Sequence, residues 1–304
     1  MFEDKIKNIA GKKIGIFAPS SCVDTGRFEA GLDIIHARGF ETFVHPQCFA
    51  KNHQSAGTTA QKIAALHDLA RNDDIGLVMA AAGGNRALHM LDGIDYTLFH
   101  GQNKLYCGYS DSTALSFALR SQCNLSSMFG PMVQNLAALT SVDQGYFFDT
   151  LSGKAPPYIL DNTIDVVKLG QVSGELIGGT LALICSLVGT DYMPQINGQI
   201  LYIEDCFEEL SRIDRMLGQL KLALPFSKLG GLIVGQFTDI QDNGTPFGFS
   251  LADIIGEHSA AINGPVIMNA PFGHGNRLQS LAFGVQATLK VNKDVAITRA
   301  TLKF

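Results

Sequence analysis

Short apolar runs alternate with stretches of helical spacing through the first half of the chain. Lys13-Ile14-Gly15-Ile16-Phe17-Ala18 predicts a strand that stops at the turn Pro19-Ser20-Ser21. A helical pattern over 27–38 follows, and then a second strand over 40–44. The same order repeats with a helix over 59–70, an apolar strand over 75–80, a helix near 85–91, and a strand over 105–109 that leads into helical spacing from Thr113. Alternation of this kind predicts a parallel sheet covered by helices, and such sheets gather their sites at the carboxyl ends of the strands. Ser110 falls at one predicted end and Gly83-Gly84 at another.

Periodicity fades between about 140 and 171, where Ser152-Gly153-Lys154-Ala155-Pro156-Pro157 reads as a connection between domains. Beyond it, Gly178-Gly179-Thr180 opens a helix through Leu187, residues 199–203 form a strand, and 211–222 an amphipathic helix. Further strands are expected over 230–237, 265–268, 285–291 and 295–302. The expected fold is therefore α/β: an N-terminal parallel-sheet domain of Rossmann or flavodoxin type, plus a C-terminal mixed α+β domain with a β-rich core. The expected division is 1–150, a linker over 151–171, and 172–304.

Composition narrows the function. The chain has 304 residues, 46% hydrophobic and 17% charged, which suits two ordinary globular domains and excludes a disordered or fibrous class. A formal net charge of -5 without a Lys/Arg-rich run argues against nucleic acid as a partner. The polar start Met1-Phe2-Glu3-Asp4-Lys5 lacks a signal-peptide core and no run is long enough to span a membrane, so a cytoplasmic protein without membrane contact is expected. Six scattered cysteines without a C-x-x-C pair predict reduced thiols, with neither a disulfide framework nor a zinc site.

Candidate chemistry begins at Gly108-Tyr109-Ser110-Asp111-Ser112-Thr113. A serine at a strand-to-helix turn has an exposed hydroxyl and sits beside the unpaired amides of the first helical turn, notably that of Asp111. The competing structural role is that Ser110, Asp111 or Ser112 merely caps the helix. Glu204 and Asp205 follow an apolar strand and are expected to emerge where it meets solvent. His274 lies between Gly273 and Gly275 in a loop after the strand at 265–268. A serine hydroxyl needs a base, and the base needs an orienting carboxylate; Ser110, His274 and Glu204 supply these parts. Gly83 and Gly84 are candidates to complete an oxyanion site with the Asp111 amide. The Gly pair matches neither G-x-G-x-x-G nor a Walker loop, so it is a weak signal for a nucleotide phosphate loop, and an oxyanion site accounts for it equally well.

These blocks together resemble a family, the serine peptidases that contain bacterial LD-carboxypeptidases of murein recycling and microcin-C self-immunity peptidases. The resemblance is carried by Gly108 to Thr113, Gly130-Pro131-Met132, Gly178-Gly179-Thr180-Leu181, Leu187-Val188-Gly189-Thr190, Ile203-Glu204-Asp205 with Glu208, Arg212 to Leu217, and Phe272-Gly273-His274. It spans Ile14 to about Leu289. It implies Ser110 as nucleophile, Glu204 and His274 as its relay, and Asp111 with Gly83-Gly84 as oxyanion donors. It also implies no cofactor or metal, a homodimer, and cleavage of the L,D bond before the terminal D-alanine of a murein tetrapeptide through an acyl-enzyme.

The chain departs from the carboxypeptidase pattern at several positions. Ala82 stands where many members carry Arg, Asn85-Arg86 replaces Tyr-Gly, Glu209-Leu210-Ser211 follows Glu208, and Leu281-Ala282-Phe283-Gly284 replaces L-P-x-G. Arg86 is the candidate to restore the missing cation. Two alternatives stand beside the carboxypeptidase reading: a peptidase acting on peptide-nucleotide amides, towards which Gly83-Gly84-Asn85 leans, and a non-catalytic protein that binds small ligands.

Overall fold

The computed structural model describes residues 2–154, 158–160, 164–242, 244–293 and 298–303. The chain divides into two compact units, residues 1–155 with 279–284, and residues 156–278 with 285–304.

The first unit is built on strands β1 (Lys13–Phe17), β2 (Thr42–Val44), β3 (Ile75–Ala80), β4 (Leu105–Gly108) and β5 (Ser127–Phe129). Its helices are α1 (Phe2–Lys7), α2 (Thr25–Ala37), α3 (Thr59–Arg71), α4 (Thr113–Cys123) and α5 (Ser141–Leu151). Every residue of β3 and β4 is buried, as expected for parallel strands covered on both faces. The strands lie in the order β2-β1-β3-β4-β5, all parallel, and the short strand Leu281–Phe283 closes the edge antiparallel to β5. Because β1 and β3 are neighbours with β2 beyond β1, the winding reverses between β1 and β3. The carboxyl ends flanking such a reversal form the ligand crevice of doubly wound sheets. The segments that leave those ends are Ala18 to Ser21 after β1, Ala81 to Ala87 after β3, and Tyr109 to Ser112 after β4.

Local signals explain the helices. A capping box between Thr58 and Gln61 starts α3, and α4 stops at Asn124, which turns left-handed at φ 55°. Two expectations are corrected. Residues 85–91 form no α-helix: Gly84 and Arg86 both take positive φ, which breaks the helical path, and only 3-10 turns follow over Leu88–Gly93. The stretch after residue 140 is not uniformly irregular, since Thr140 caps α5 and Phe147, Phe148 and Leu151 anchor it in the core. Gly145 and two aspartates dilute its apolar pattern, which is why spacing alone missed it.

The second unit holds an eight-stranded mixed sheet among the described residues. Its strands are β6 (Tyr158–Leu160), β7 (Asp165–Lys168), β8 (Gly170–Thr180), β9 (Ile200–Cys206), β10 (Gly231–Thr238), β11 (Val266–Met268) and, counting the Leu281–Phe283 strand of the first unit as β12, β13 (Val285–Lys293) and β14 (Thr298–Lys303). They run in the order β6-β14-β13-β8-β9-β10-β11-β7, with β8, β9, β10 and β11 parallel. The beginning of the strand expected over 295–302 lies outside the described residues. β8 changes partner along its length: Gly170 to Leu176 pair antiparallel with β13, and Leu176 to Thr180 pair parallel with β9. Its last five residues are all buried, which takes Thr180 into the core next to Glu204. The helices are α6 (Leu181–Leu187), α7 (Leu210–Ala223) and α8 (Leu251–Ser259), and α7 turns Ile213, Leu217 and Leu220 inward.

In the first unit, α2 lies so close to the turn at Val133 that a Cβ on Gly31 would sit 2.0 Å from the Val133 carbonyl oxygen. Backbone on both sides leaves no flexible group to yield. Gly31→Ala is expected to destabilise the protein by about 2 kcal/mol or more, read from denaturant unfolding. An unchanged midpoint would show that the helix shifts freely.

Candidate active site

Ser110 takes φ 60°, in the left-handed region that non-glycine residues rarely occupy. The cap of α4 is Ser112, and it makes no side-chain capping bond. The capping role considered for Ser110 therefore fails, and the strained turn holds it half-exposed just beyond β4. Gly83 comes up against it: a Cβ there would lie 3.4 Å from the Ser110 hydroxyl and 3.1 Å from the Met132 methyl. Gly84, at φ 121°, leaves no room for a side chain, since a Cβ would meet the Ser21 hydroxyl at 1.9 Å. Ser21 in turn donates its amide to the Gly83 carbonyl at 3.2 Å. Arg86 is exposed and also left-handed, at φ 84°. The first unit thus brings Ser110, Asp111, Gly83 and Gly84 together, with Arg86 on the same glycine loop.

The second unit brings Glu204 and His274 together. Glu204 is fully buried at the end of β9, contrary to the expectation that the carboxylates meet solvent, because the strand runs on to Cys206. Both of its oxygens are used. Oε1 accepts from the Thr180 hydroxyl at 2.6 Å, and Oε2 lies 2.6 Å from His274 Nδ1. That contact leaves Nε2 as the ring nitrogen able to serve as an acceptor. Gly273, at φ 130°, permits the approach, since a Cβ there would come within 2.8 Å of the Gln236 carbonyl and 3.2 Å of Glu204 Oε2. Burial works against the imidazolium, but hydrogen bonds to Cys206 and Glu204 and the Glu204 charge outweigh it and push His274 up to about 10.

Sequence reasoning missed three contributors. In the sequence Thr180 shows only as part of a helix opening, Cys206 as a core thiol, and Asp205 as an alternative to Glu204. Asp205 has its own work: Oδ2 accepts from the Ala182 amide and Oδ1 from the Cys206 amide, each at 2.8 Å. Burial raises its pKa from 3.8 to about 7, against those two amides and with the nearby Glu204 and Glu208 charges adding to the rise. The i, i+2 strand register that sends Glu204 and Cys206 to one face was the available signal for Cys206. Among the described residues no helix is long and apolar enough to cross a membrane.

Comparison with known proteins places the chain in a family. Residues 14–130 match the family model of the LD-carboxypeptidase N-terminal domain, and residues 173–289 that of the C-terminal domain. A probable murein peptide carboxypeptidase of Bacillus subtilis is 26% identical over 294 residues, covering 95% of this chain and 92% of that protein. The microcin C7 self-immunity protein of Escherichia coli is 25% identical over 330 residues, covering 96% and 94%. Among solved structures, a muramoyltetrapeptide carboxypeptidase from Oxalobacter formigenes aligns with a TM-score of 0.86 at 25% identity, covering 96% of this chain and 99% of that one.

The buried Asp205 carboxyl generates a stability prediction. Its folded-state pKa lies above its unfolded value, so between about 4 and about 7 the folded state holds the extra proton. Its contribution is full below about 4 and is lost as pH rises through about 7. Asp205→Asn should remove that slope, gaining on the wild type by roughly 3 kcal/mol between pH 4 and pH 8 in urea unfolding. Parallel stability curves for the two proteins would contradict it.

Proposed function

Since the chain belongs to the LD-carboxypeptidase family of serine peptidases, we propose that it hydrolyses the L,D-peptide bond before the terminal D-alanine of murein tetrapeptides. In this reading Ser110 is the nucleophile, His274 the general base, and Glu204 the carboxylate that orients and charges the base. The observation that carries it is the 2.6 Å contact between His274 Nδ1 and a fully buried Glu204. A buried carboxylate held by Thr180 through one oxygen and aimed at the histidine with the other fits a base that becomes imidazolium as the serine attacks.

The steps follow from these groups. The Ser110 Oγ attacks the carbonyl carbon of the L,D bond while its proton passes to His274 Nε2. Negative charge moves onto the carbonyl oxygen, where the amides of Asp111 and of the Gly83-Gly84 segment are the proposed donors. Collapse breaks the C–N bond, His274 returns its proton to the amine of the leaving D-alanine, and an acyl-enzyme on Ser110 remains. Water activated by His274 then releases the shortened peptide. Arg86 is the proposed partner of the substrate's free carboxylate, in place of the Arg that Ala82 lacks. The tetrapeptide substrate is supported by the name of the Oxalobacter protein, at 25% identity. A cytoplasmic, homodimeric enzyme of murein recycling is the setting we propose.

The direct test is D-alanine release from a murein L,D-tetrapeptide with excess chelator present. Wild-type protein should release it, and Ser110→Ala should lower kcat by at least about a thousandfold. No release by the wild type would retire this substrate and favour peptide-nucleotide amides, which the relationship to the self-immunity protein brings into view. Labelling of Ser110 by a fluorophosphonate separates an enzyme from a mere binder.

The pH dependence is a second test. His274 must be neutral to take the Ser110 proton, so kcat/KM should rise with pH on a limb whose midpoint lies above the ordinary imidazole value of 6.5. Glu204→Gln removes the anion that favours the imidazolium, so the midpoint should move down while kcat falls. A midpoint that stays put in Glu204→Gln would rule out this role for the carboxylate.

A further inference from the structure

Asp111 has a side chain as well as an amide, and its surroundings are unusual. The carboxylate is buried at 4% exposure and does not cap the helix that follows it. Its Oδ2 accepts two hydrogen bonds from distant segments, from the Ser20 hydroxyl at 2.6 Å and from the Ala87 amide at 2.8 Å. Ser20 and Ala87 are themselves completely buried. One belongs to the segment after β1 and the other closes the glycine loop after β3. A single oxygen thus ties the carboxyl ends of β1 and β3 to the residue that follows Ser110.

The glycine loop has few other means of holding its shape. Gly84 and Arg86 are both left-handed, so no helix or strand ladder fixes Gly83 to Arg86. Its anchors to the segments after β1 and β4 are the Ser21 amide on the Gly83 carbonyl and Asp111 on the Ala87 amide, while the His89 amide on the Arg86 carbonyl at 3.3 Å closes only the local turn. The first anchor sets a direction. In a trans peptide the C=O and the following N–H point opposite ways, so a Gly83 carbonyl turned to Ser21 leaves the Gly84 N–H facing away from Ser21. The second anchor fixes the other end of the loop. The buried Lys62 on α3 is close enough for its charge to offset in part the burial that raises the Asp111 pKa, with Ser20 and Ala87 acting in the same direction.

We infer that the Asp111 side chain is a positioning residue, a clamp that presets the Gly83–Gly84 donors against Ser110 through Ala87 and Ser20. It rests on the nucleophile role proposed for Ser110, and it is independent of which peptide is cleaved. Asparagine keeps a carbonyl oxygen for both donors and should preserve the clamp in large part, whereas alanine abolishes it.

The experiment compares wild type, Asp111→Asn, Asp111→Ala and Ser20→Ala by the rate of fluorophosphonate labelling at Ser110 and by hydrogen exchange at the Ala87 amide. Asp111→Ala should slow labelling by about 100-fold, the loss expected when a reacting geometry slips by an ångström. Its Ala87 amide should lose protection while β3 and β4 keep theirs. Asp111→Asn should recover at least tenfold of that loss, and Ser20→Ala, which removes one donor, should fall between wild type and Asp111→Ala. If Asp111→Ala does not fold, Ser20→Ala and Asp111→Asn still rank the effect. Equal labelling in all four proteins overturns the clamp alone. A wild type that is not labelled at Ser110 overturns the nucleophile reading and the clamp with it. With the L,D-tetrapeptide, the loss should appear in kcat with little change in KM. A loss confined to KM would assign Asp111 to substrate binding and sink the clamp.

Discussion

A carboxylate with no solvent must have every lone pair answered inside the protein, and Glu204 imposes that constraint on the second unit. Leaving it ionised and unpaired in the core costs several kcal/mol, so its surroundings are shaped by the need to satisfy it. β8 takes a new partner at Leu176 and carries Thr180 to one oxygen. Gly273 removes the Cβ that would crowd the other, and His274 arrives there at 2.6 Å. Asp205 then ties the start of α6 to the same strand end through Ala182, so the segment that supplies Thr180 is held on both sides of the carboxylate pair.

The first unit solves a different problem with the same device. Its parallel sheet delivers three strand ends to one edge, but loops leaving parallel strands have no ladder to pair them. Beside the Ser21 amide on the Gly83 carbonyl, Asp111 adds the side-chain bonds that join all three. Placing a carboxylate next to the candidate functional residue in each unit, Asp111 after Ser110 and Asp205 after Glu204, means that strain or charge at the first residue is stabilised by a rigid contact one position along the chain. Both carboxyls are raised by burial, and both accept from backbone amides that the fold had otherwise to satisfy.

Much of this was legible in the sequence where cause and effect are close along the chain. The alternation of apolar runs and helical spacing foretold the parallel sheet, and the position of Ser110 between β4 and α4 was visible because strand and helix signals meet there. Long-range consequences were not. Asp111 and Ser20 are separated by 91 positions and Glu204 and His274 by 70, and nothing local distinguishes a carboxylate that will be clamped from one that caps a helix. The strand Leu281–Phe283 and its return to the first sheet were both hidden, since three apolar residues are too short a run to announce a strand, and nothing local names its partner. The glycine loop misled in the opposite sense. Its sequence Asn85 to Leu91 has helical composition, yet Arg86 takes positive φ between two tertiary contacts, the Ser21 amide on the Gly83 carbonyl and Asp111 on the Ala87 amide.

The left-handed Ser110 shows why such contacts matter more here than local preference. A serine at φ 60° is held against its own backbone preference, by on the order of 1 kcal/mol or more, and persists only if its neighbours leave no alternative. On one side β4 is fully buried and cannot slide. On the other, Asp111 is pinned by Ser20 and Ala87 before α4 begins. Relaxing Ser110 would drag that carboxylate off two buried donors, leaving a buried hydroxyl and a buried amide without it, at about 1 to 3 kcal/mol for each. The strain at the serine is therefore smaller than the cost of releasing it, and the turn is stable because of the residue after it rather than because of anything in Ser110 itself.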